Sequence, residues 1–323
     1  MGSRKYLLRK TLHAIATLVF VLTFNFFLFR VMPSDPVQLY ARSLHLTEED
    51  KLELQHELGL DRPLPQQFVI YMADTVTGNF GTSIKTGLPA TEMITDRLWP
   101  TVLLVGLSTI LSTAFGLFIG IKGAWKRGSL FDTSSLFGSL VLYSMPEGWL
   151  GMILLIFFAG TLHWFPAGQY ESSGAGFTGF AHFFDVLNHL FLPLLTLTLG
   201  YIGEYAIIMR SSLLETMGED FVQTARAKGL QEKLVRRRHA VPNAILPTLT
   251  LVFYSFGYVL GGAIIVETVF SWPGIGLLEY KSIAELDYPV IQGVFLLFSL
   301  AVIVFNLAAD VLYSYLDPRI REA

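Results

Sequence analysis

The sequence predicts an all-α, polytopic membrane protein with six transmembrane helices, the third long and broken. Three observations carry that fold class: too little charge for a water-soluble body, charge-poor runs of bilayer length, and cations sorted to alternate loops. Of 323 residues, 52% are hydrophobic and 15% charged, against about 25% charged in soluble globular domains. With a mean hydropathy of +0.52 and 26 phenylalanines, polar side chains are too few to wrap a soluble core. There are no cysteines, which removes disulfides, thiolate metal sites and cysteine nucleophiles together. The formal net charge of −3 is a sum over two membrane faces and hides their difference.

A hydrocarbon core of about 30 Å needs roughly 20 apolar residues of helix. Residues 11–32 are the first such run, behind Arg4, Lys5, Arg9 and Lys10. The run is too long for a signal-peptide core, and Pro33-Ser34-Asp35-Pro36 follows it in place of a small-residue cleavage site, so it reads as a retained span. Arg30 at its far end snorkels outward, toward Asp35. Residues 33–99 form an external subdomain with a helical start: Thr47 as N-cap before Glu48, Glu49 and Asp50, then Leu52, Leu54 and Leu58, closed by Gly59. The second span, 100–121, holds no charge. The third segment, 133–162, is longer than one span needs and is interrupted by Ser144-Met145-Pro146-Glu147-Gly148, which leaves one kinked helix or a helix pair. The fourth span is 190–209 with Glu204, the fifth 244–266, and the sixth 290–313 with Asn306 and Asp310. Asp310 is expected to pair with a cation near the inner end, and Asn25 and Asn306 to join helices.

The lysines and arginines decide between the two readings of the third segment. If it crosses once, 16 of 23 cations share one face with both termini, including seven between Arg210 and Arg238. The other face then holds 16 of 26 acids. Two crossings would send the Arg210–Arg238 cluster outside and destroy the bias. One broken third span is therefore expected. The chain divides into a first helix (1–32), an external loop (33–99) and a membrane core (100–323) with a basic loop at about 210–247.

Sites for common chemistry are missing from the sequence. No G-x-x-x-x-G-K-[ST] loop occurs, and Gly78-Asn79-Phe80-Gly81-Thr82-Ser83 lacks the lysine such a loop needs. Neither H-E-x-x-H nor G-x-S-x-G is present. His182 and His189 are spaced i, i+7, but a metal site needs a third ligand and usually a fourth. No catalytic constellation and no metal site is predicted.

The basic loop is the most informative stretch. Asp220-Phe221-Val222-Gln223-Thr224-Ala225-Arg226-Ala227-Lys228 reads as a short helix stopped by Gly229, and a second helix begins near Gln231. Small residues on a short helix suit a close contact with a partner's groove, while an ordinary basic loop obeying the charge bias is the plainer alternative. Gln223-Thr224-Ala225-Arg226-Ala227-Lys228-Gly229, followed by Asn243-Ala244-Ile245-Leu246-Pro247, resembles the EAA loop of ABC importer permeases. More narrowly it resembles the B-type permease of the dipeptide/oligopeptide family. The likeness extends to Pro33-Ser34-Asp35-Pro36, Leu58-Gly59-Leu60-Asp61-Arg62-Pro63, Gly78–Ser83, Glu267-Thr268-Val269-Phe270-Ser271-Trp272-Pro273-Gly274-Ile275-Gly276, Asp287-Tyr288-Pro289 and Leu316-Asp317-Pro318-Arg319. Three positions depart from the family pattern: Gln223 replaces Glu, Ser34 replaces Gly and Asn79 replaces Asp. No charge-dependent role carries over to Gln223.

The resemblance implies a non-catalytic, pore-forming subunit of the cell membrane, with both termini cytoplasmic. Its implied partners are a second, C-type permease, two cytoplasmic ATPases on fused or separate chains, an extracellular or periplasmic binding protein and the lipid bilayer, with no nucleic acid. ATP and Mg would be bound by the ATPases, and no cofactor by this chain. Asp220 to Gly229 would form the loop coupling to an ATPase, and tilting of spans four and five would switch the pore. Phe270, Trp272, Pro273 and Gly274 would belong to an external scoop or re-entrant gate at the pore mouth. Two roles are open to Glu147, lining the pathway or capping the broken backbone, and two to Glu204, facing a cavity or a partner subunit. Peptide is the family's commonest cargo, with oligosaccharide, nickel, glutathione and opines as alternatives. An ion-coupled secondary transporter is the competing class, disfavoured by the lack of internal repeats.

Overall fold

The computed structural model describes residues 2–31, 47, 49, 56 and 61–316. The helix expected near 47–59, the Arg30–Asp35 contact and the 33–36 and 316–319 motifs fall outside the described residues in whole or in part. Among the described residues the regular elements are helices, and the only extended pairing is a bridge between Thr82 and Pro89.

Helix α1 is Gly2–Val31, and α2, Leu64–Thr77, lies beyond it. Helix α3, Ala90–Trp125, has 36 residues and runs through Pro100, the residue expected to open the span. At 1.5 Å per residue it is about 54 Å long, so its charged first turns with Glu92, Asp96 and Arg97 continue the helix past the bilayer. Helix α6, Phe180–Thr216, overshoots its expected bounds in the same way and holds Pro193 inside. Apolar runs mark the membrane-buried part of a helix and do not mark its ends.

The third segment is two helices. Ser129 caps α4, Leu130–Ser144, by accepting a hydrogen bond from the Asp132 N–H. Pro146 then starts α5, Glu147–Leu154, which continues as a π-helix over Leu155–Thr161. The pair is bent by 102° at the break. Its contacts nevertheless climb α6 in one direction: Asp132 to Arg210, Ser139 against Gly203, Glu147 beside Gly200, Gly151 beside Thr196, and Phe165 stacked on Phe191. That one-way course along α6 is the course a single broken span would take.

The basic loop holds α7 (Asp220–Ala227), α8 (Glu232–Val235), a π-helical turn (Arg236–Ala240) and α9 (Val241–Ala244). Helix α10, Leu246–Gly262, is followed by α11 (Ile264–Val269), α12 (Ile275–Glu285) and α13 (Tyr288–Leu316). The expected scoop is thus largely helical, with an irregular turn only at 270–274. By length and composition, four helices among the described residues can cross a membrane (α1, α3, α6 and α13), with a fifth crossing if the α4–α5 pair is one span. Helix α10 has 17 residues, about 26 Å. Its flanks connect opposite ends of the bundle: Ala244 packs with Met209 and Leu213, and Val266 with Leu190 and Trp272.

The densest helix pair is α3 with α6. Without a solvent-driven force between helices in lipid, close backbone approach must supply the attraction. Gly116 and Gly120 make that approach possible, since a Cβ on Gly120 would lie 2.7 Å from the Ala206 carbonyl oxygen and from Met209 Cβ. Lys10 bonds Asp310 at 2.9 Å, joining the start of α1 to the end of α13, so these two helix ends lie at one end of the bundle. The cation expected for Asp310 is this lysine. Asn25 donates to the Tyr71 hydroxyl at 3.0 Å, holding α2 on α1.

The same basic end carries a buried fork. Arg210 donates from Nε and Nη2 to the two Asp132 oxygens at 2.6 and 2.9 Å, and the Gly128 N–H adds a third bond. Asp132 precedes the apolar stretch at the start of α4, and its bonds with Arg210 hold its carboxyl down at about 2. The depressed value means that the pair's contribution is complete above pH 3.8 and is lost as pH falls toward about 2. Asp132→Ala leaves the part-buried arginine without its carboxylate and is expected to cost about 1–3 kcal/mol. A lowered unfolding midpoint in detergent measures this, and the wild-type midpoint should be insensitive to this pair between about pH 5 and 8.

Candidate functional site

At the basic end, α7 lies across the last turns of α6. Its short apolar spacing turns Val222 and Ala225 inward, where they join Ala124, Met209, Leu213, Val235, Ala240 and Ala244. Phe221, Gln223, Thr224, Ala227 and Lys228 face out. Gly229 at φ +76° is the left-handed residue after the helix. Its N–H bonds the Arg226 carbonyl at 2.9 Å, and the Leu230 N–H the Ala225 carbonyl at 3.4 Å, which is the glycine stop expected there. Arg226 is paired with Glu232 at 3.0 Å, and Arg236 stacks on the Trp125 ring. Asp220 opens the helix, where a carboxylate favours the dipole.

Ala225, one of the residues of the expected coupling loop, is 4% exposed and packs inside this chain. The outward surface is formed by Phe221, Ala227 and their polar neighbours.

At the opposite end, α11 closes with a left-handed Ser271 (φ 49°): the Ser271 N–H bonds the Thr268 carbonyl and the Trp272 N–H the Glu267 carbonyl. That turn drives Phe270 and Trp272 into the core, 1% and 0% exposed, while Pro273 is partly covered and Gly274 buried. Trp272 Nε1 donates to the Pro100 carbonyl at 3.0 Å. The 168–170 loop closes over the turn: the Gln169 N–H donates to the Phe270 carbonyl at 3.0 Å, and Tyr170 packs on the Trp272 ring. Phe270 and Trp272 therefore pin the hairpin to its own bundle.

Two motifs far apart in sequence meet beside this hairpin. Asp287 accepts a hydrogen bond from the Ser83 hydroxyl and another from the Ile84 N–H, tying the 78–84 loop to the start of α13. His182 of α6 pairs with Glu171, and Asp185 of α6 accepts hydrogen bonds from the Ser172 N–H and hydroxyl, so these two residues hold the 169–179 loop on α6, while His189 pairs with Asp185 within the helix. Among the described residues no group of three or more His, Asp or Glu side chains is placed to hold a metal ion.

Two carboxylates lie midway along α6. Glu147, first residue of α5 behind the break, lies against α6 beside Gly200. Glu204 is half-buried one turn further along and has no hydrogen bond to another described residue. Sequence reasoning passed over Glu267 and Thr101, which bond each other at 2.7 Å. Glu267 opens the 267–276 motif of the resemblance but was given no role of its own, and nothing distinguished Thr101 from other span threonines.

The arrangement has counterparts among known proteins. Residues 112–322 match the family model described as binding-protein-dependent transport system inner membrane component, and residues 3–105 match its N-terminal companion. A probable peptide ABC transporter permease protein of Sinorhizobium fredii is 40% identical over 98% of this chain and 99% of its own length. The oligopeptide transport system permease protein of Bacillus subtilis is 34% identical, with 98% of each chain covered. The dipeptide transport system permease protein of Escherichia coli is 35% identical at the same coverage. Among solved structures, the inward-facing MetNI methionine ABC transporter aligns with a TM-score of 0.54 at 17% identity, covering 70% of this chain and 96% of that chain.

Proposed function

Because the chain belongs to the binding-protein-dependent transport system inner membrane component family, we propose that it is one pore-forming permease of an ATP-driven importer for di- and oligopeptides. The observation that carries the reading is end-to-end similarity to relatives named as peptide permeases. This is a multi-pass membrane subunit and not itself an enzyme. A second, C-type permease completes the pore, a binding protein delivers the peptide outside, and two ATPase subunits or one fused chain supply ATP and Mg.

In this reading the chain crosses six times, with α10 as the fifth span, and the basic end with both termini is cytoplasmic. The cation bias supports that orientation. Helix α7 is the coupling helix: Phe221, Gln223, Thr224, Ala227 and Lys228 enter an ATPase groove, with Val222 and Ala225 as bolts to α6. ATPase closure then displaces α7, and α6 and α10 tilt with it. This explains how a chain without a phosphate-binding loop uses ATP. Glu147 and Glu204 are the pathway candidates, since intramembrane acids are costly unless they serve a polar route. Phe270, Trp272, Pro273 and Gly274 belong to the outer mouth, held rigidly to this chain's own bundle.

The cargo is tested by purifying the partner binding protein and identifying its bound ligand by mass spectrometry. A population of short peptides is expected. A single sugar or a metal ion in their place would overturn the peptide reading and leave the transporter class intact.

A further inference from the structure

We propose that Glu267 is a positioning residue that clamps the α11–α12 hairpin to α3, so that these three elements move as one body when the outer mouth opens. The inference rests on the importer reading for its transport consequence, and on hydrogen-bond geometry for the clamp itself.

Glu267 is wholly buried, yet its partners are neutral donors from two other helices. The Thr101 hydroxyl of α3 donates to Oε1 at 2.7 Å, and the Leu277 N–H in the first turn of α12 donates to Oε2 at 2.9 Å. Thr101 Oγ1 in turn accepts the Ile275 N–H at 2.8 Å. The first turn of any helix has N–H groups without intrahelical partners, and a side chain at the N-cap usually takes one of them. The N-cap of α12 is Gly274, which has no side chain to offer. The orphan donors of Ile275 and Leu277 are satisfied instead by residues from α3 and α11. A Cβ on Gly274 would lie 2.1 Å from the Glu267 carboxylate, so the carboxylate occupies the space of the missing side chain.

A serine or aspartate at the N-cap would have been the simpler solution for helix stability alone. Distributing the cap over three helices makes the hairpin's orientation depend on α3, whose far end packs against α6 through Gly116 and Gly120. Helix α6 leads directly to the α7 loop. The clamp therefore lies at one end of a continuous packed route whose other end is the ATPase contact. Buried donors left unsatisfied are costly, which makes separation of α12 from α3 unfavourable at any stage of a cycle.

The test uses the complete importer reconstituted in proteoliposomes, with Glu267→Ala, Thr101→Val, Thr101→Ser and Gly274→Ala. The Glu267→Ala and Thr101→Val variants should keep ATP hydrolysis within about twofold while uptake falls about tenfold or more, a loss of coupling of the kind produced by displaced gating elements. Thr101→Ser retains the hydroxyl and should restore uptake. Gly274→Ala should reproduce the Glu267→Ala defect by steric displacement of the carboxylate. Amide hydrogen exchange at Ile275 and Leu277 should accelerate in both Glu267→Ala and Thr101→Val. Parallel loss of hydrolysis and uptake, or unchanged exchange at those two amides, would overturn the clamp. Absence of ATP-driven uptake in the wild type would overturn the importer reading instead, and the exchange measurement would still decide the clamp.

Discussion

Gly120→Leu is expected to remove nearly all folded protein from the membrane. Leucine at this position must place its Cβ where the Ala206 carbonyl oxygen, Met209 Cβ and the Arg210 N–H already stand, at 2.7, 2.7 and 3.0 Å. Two of those obstacles are backbone atoms of α6, so rotamer change cannot relieve the overlap. The helices would have to separate along a seam that also carries Gly116, where a Cβ would lie 2.6 Å from Tyr205 Cβ. Overpacking in a tight core costs about 1–3 kcal/mol or more, and here it also removes the close packing that substitutes for a hydrophobic driving force in lipid. Separation would further pull Arg210 from Asp132. Gly106→Leu on the same helix is the control, because a Cβ there meets nothing within 4 Å. Yield of monodisperse protein and its unfolding midpoint should collapse for the first variant and stay near wild type for the second.

The second large effect separates the two faces of α7. Phe221→Asp and Ala227→Glu alter outward positions. Both are expected to leave the permease folded and to release the ATPase subunits. An aromatic anchor in an interface commonly carries about 2 kcal/mol or more, roughly a thirtyfold loss of affinity. Ala225→Glu should act differently, because Ala225 packs against Met209, Leu213 and Ala244 within the chain. A carboxylate forced into that cluster destabilises the loop, so both the melting point and ATPase retention should fall. Pull-down of the ATPase subunits, alongside thermal unfolding of the permease alone, distinguishes the cases. Retention of the ATPases by both outward variants would exclude this face as the contact.

What the sequence revealed depends on whether a signal is local. Membrane spans are local, so the apolar stretches and the cation bias located the bundle and the basic end. Gly229 as a helix stop was legible because a left-handed glycine leaves its mark within one turn. Helix ends were not legible, since α3 and α6 run through Pro100 and Pro193 and past the apolar boundary on charged turns. The break at Pro146 was visible, but its 102° bend was not. Which side of α7 faces inward depends on Leu213 and Ala244, and a short helix read alone cannot reveal them. The importance of Gly116 and Gly120 is likewise set by the facing backbone of α6. Glu267 was hidden for the same reason: its partners lie ten residues downstream and on a helix some 166 residues upstream. The 267–276 motif was legible through its resemblance to known permeases, whereas the packing of Phe270 and Trp272 depends on Pro100 and Tyr170, which are distant in sequence.

The central claim is that this chain forms a pore through which peptide moves only when partner subunits hydrolyse ATP. The most direct measurement is uptake of a labelled short peptide by proteoliposomes holding the two permeases and their ATPases, with the binding protein outside. Accumulation is expected with ATP and Mg inside and is expected to stop with a non-hydrolysable analogue. Accumulation that persists with the analogue, or that follows an imposed ion gradient without ATP, would contradict it.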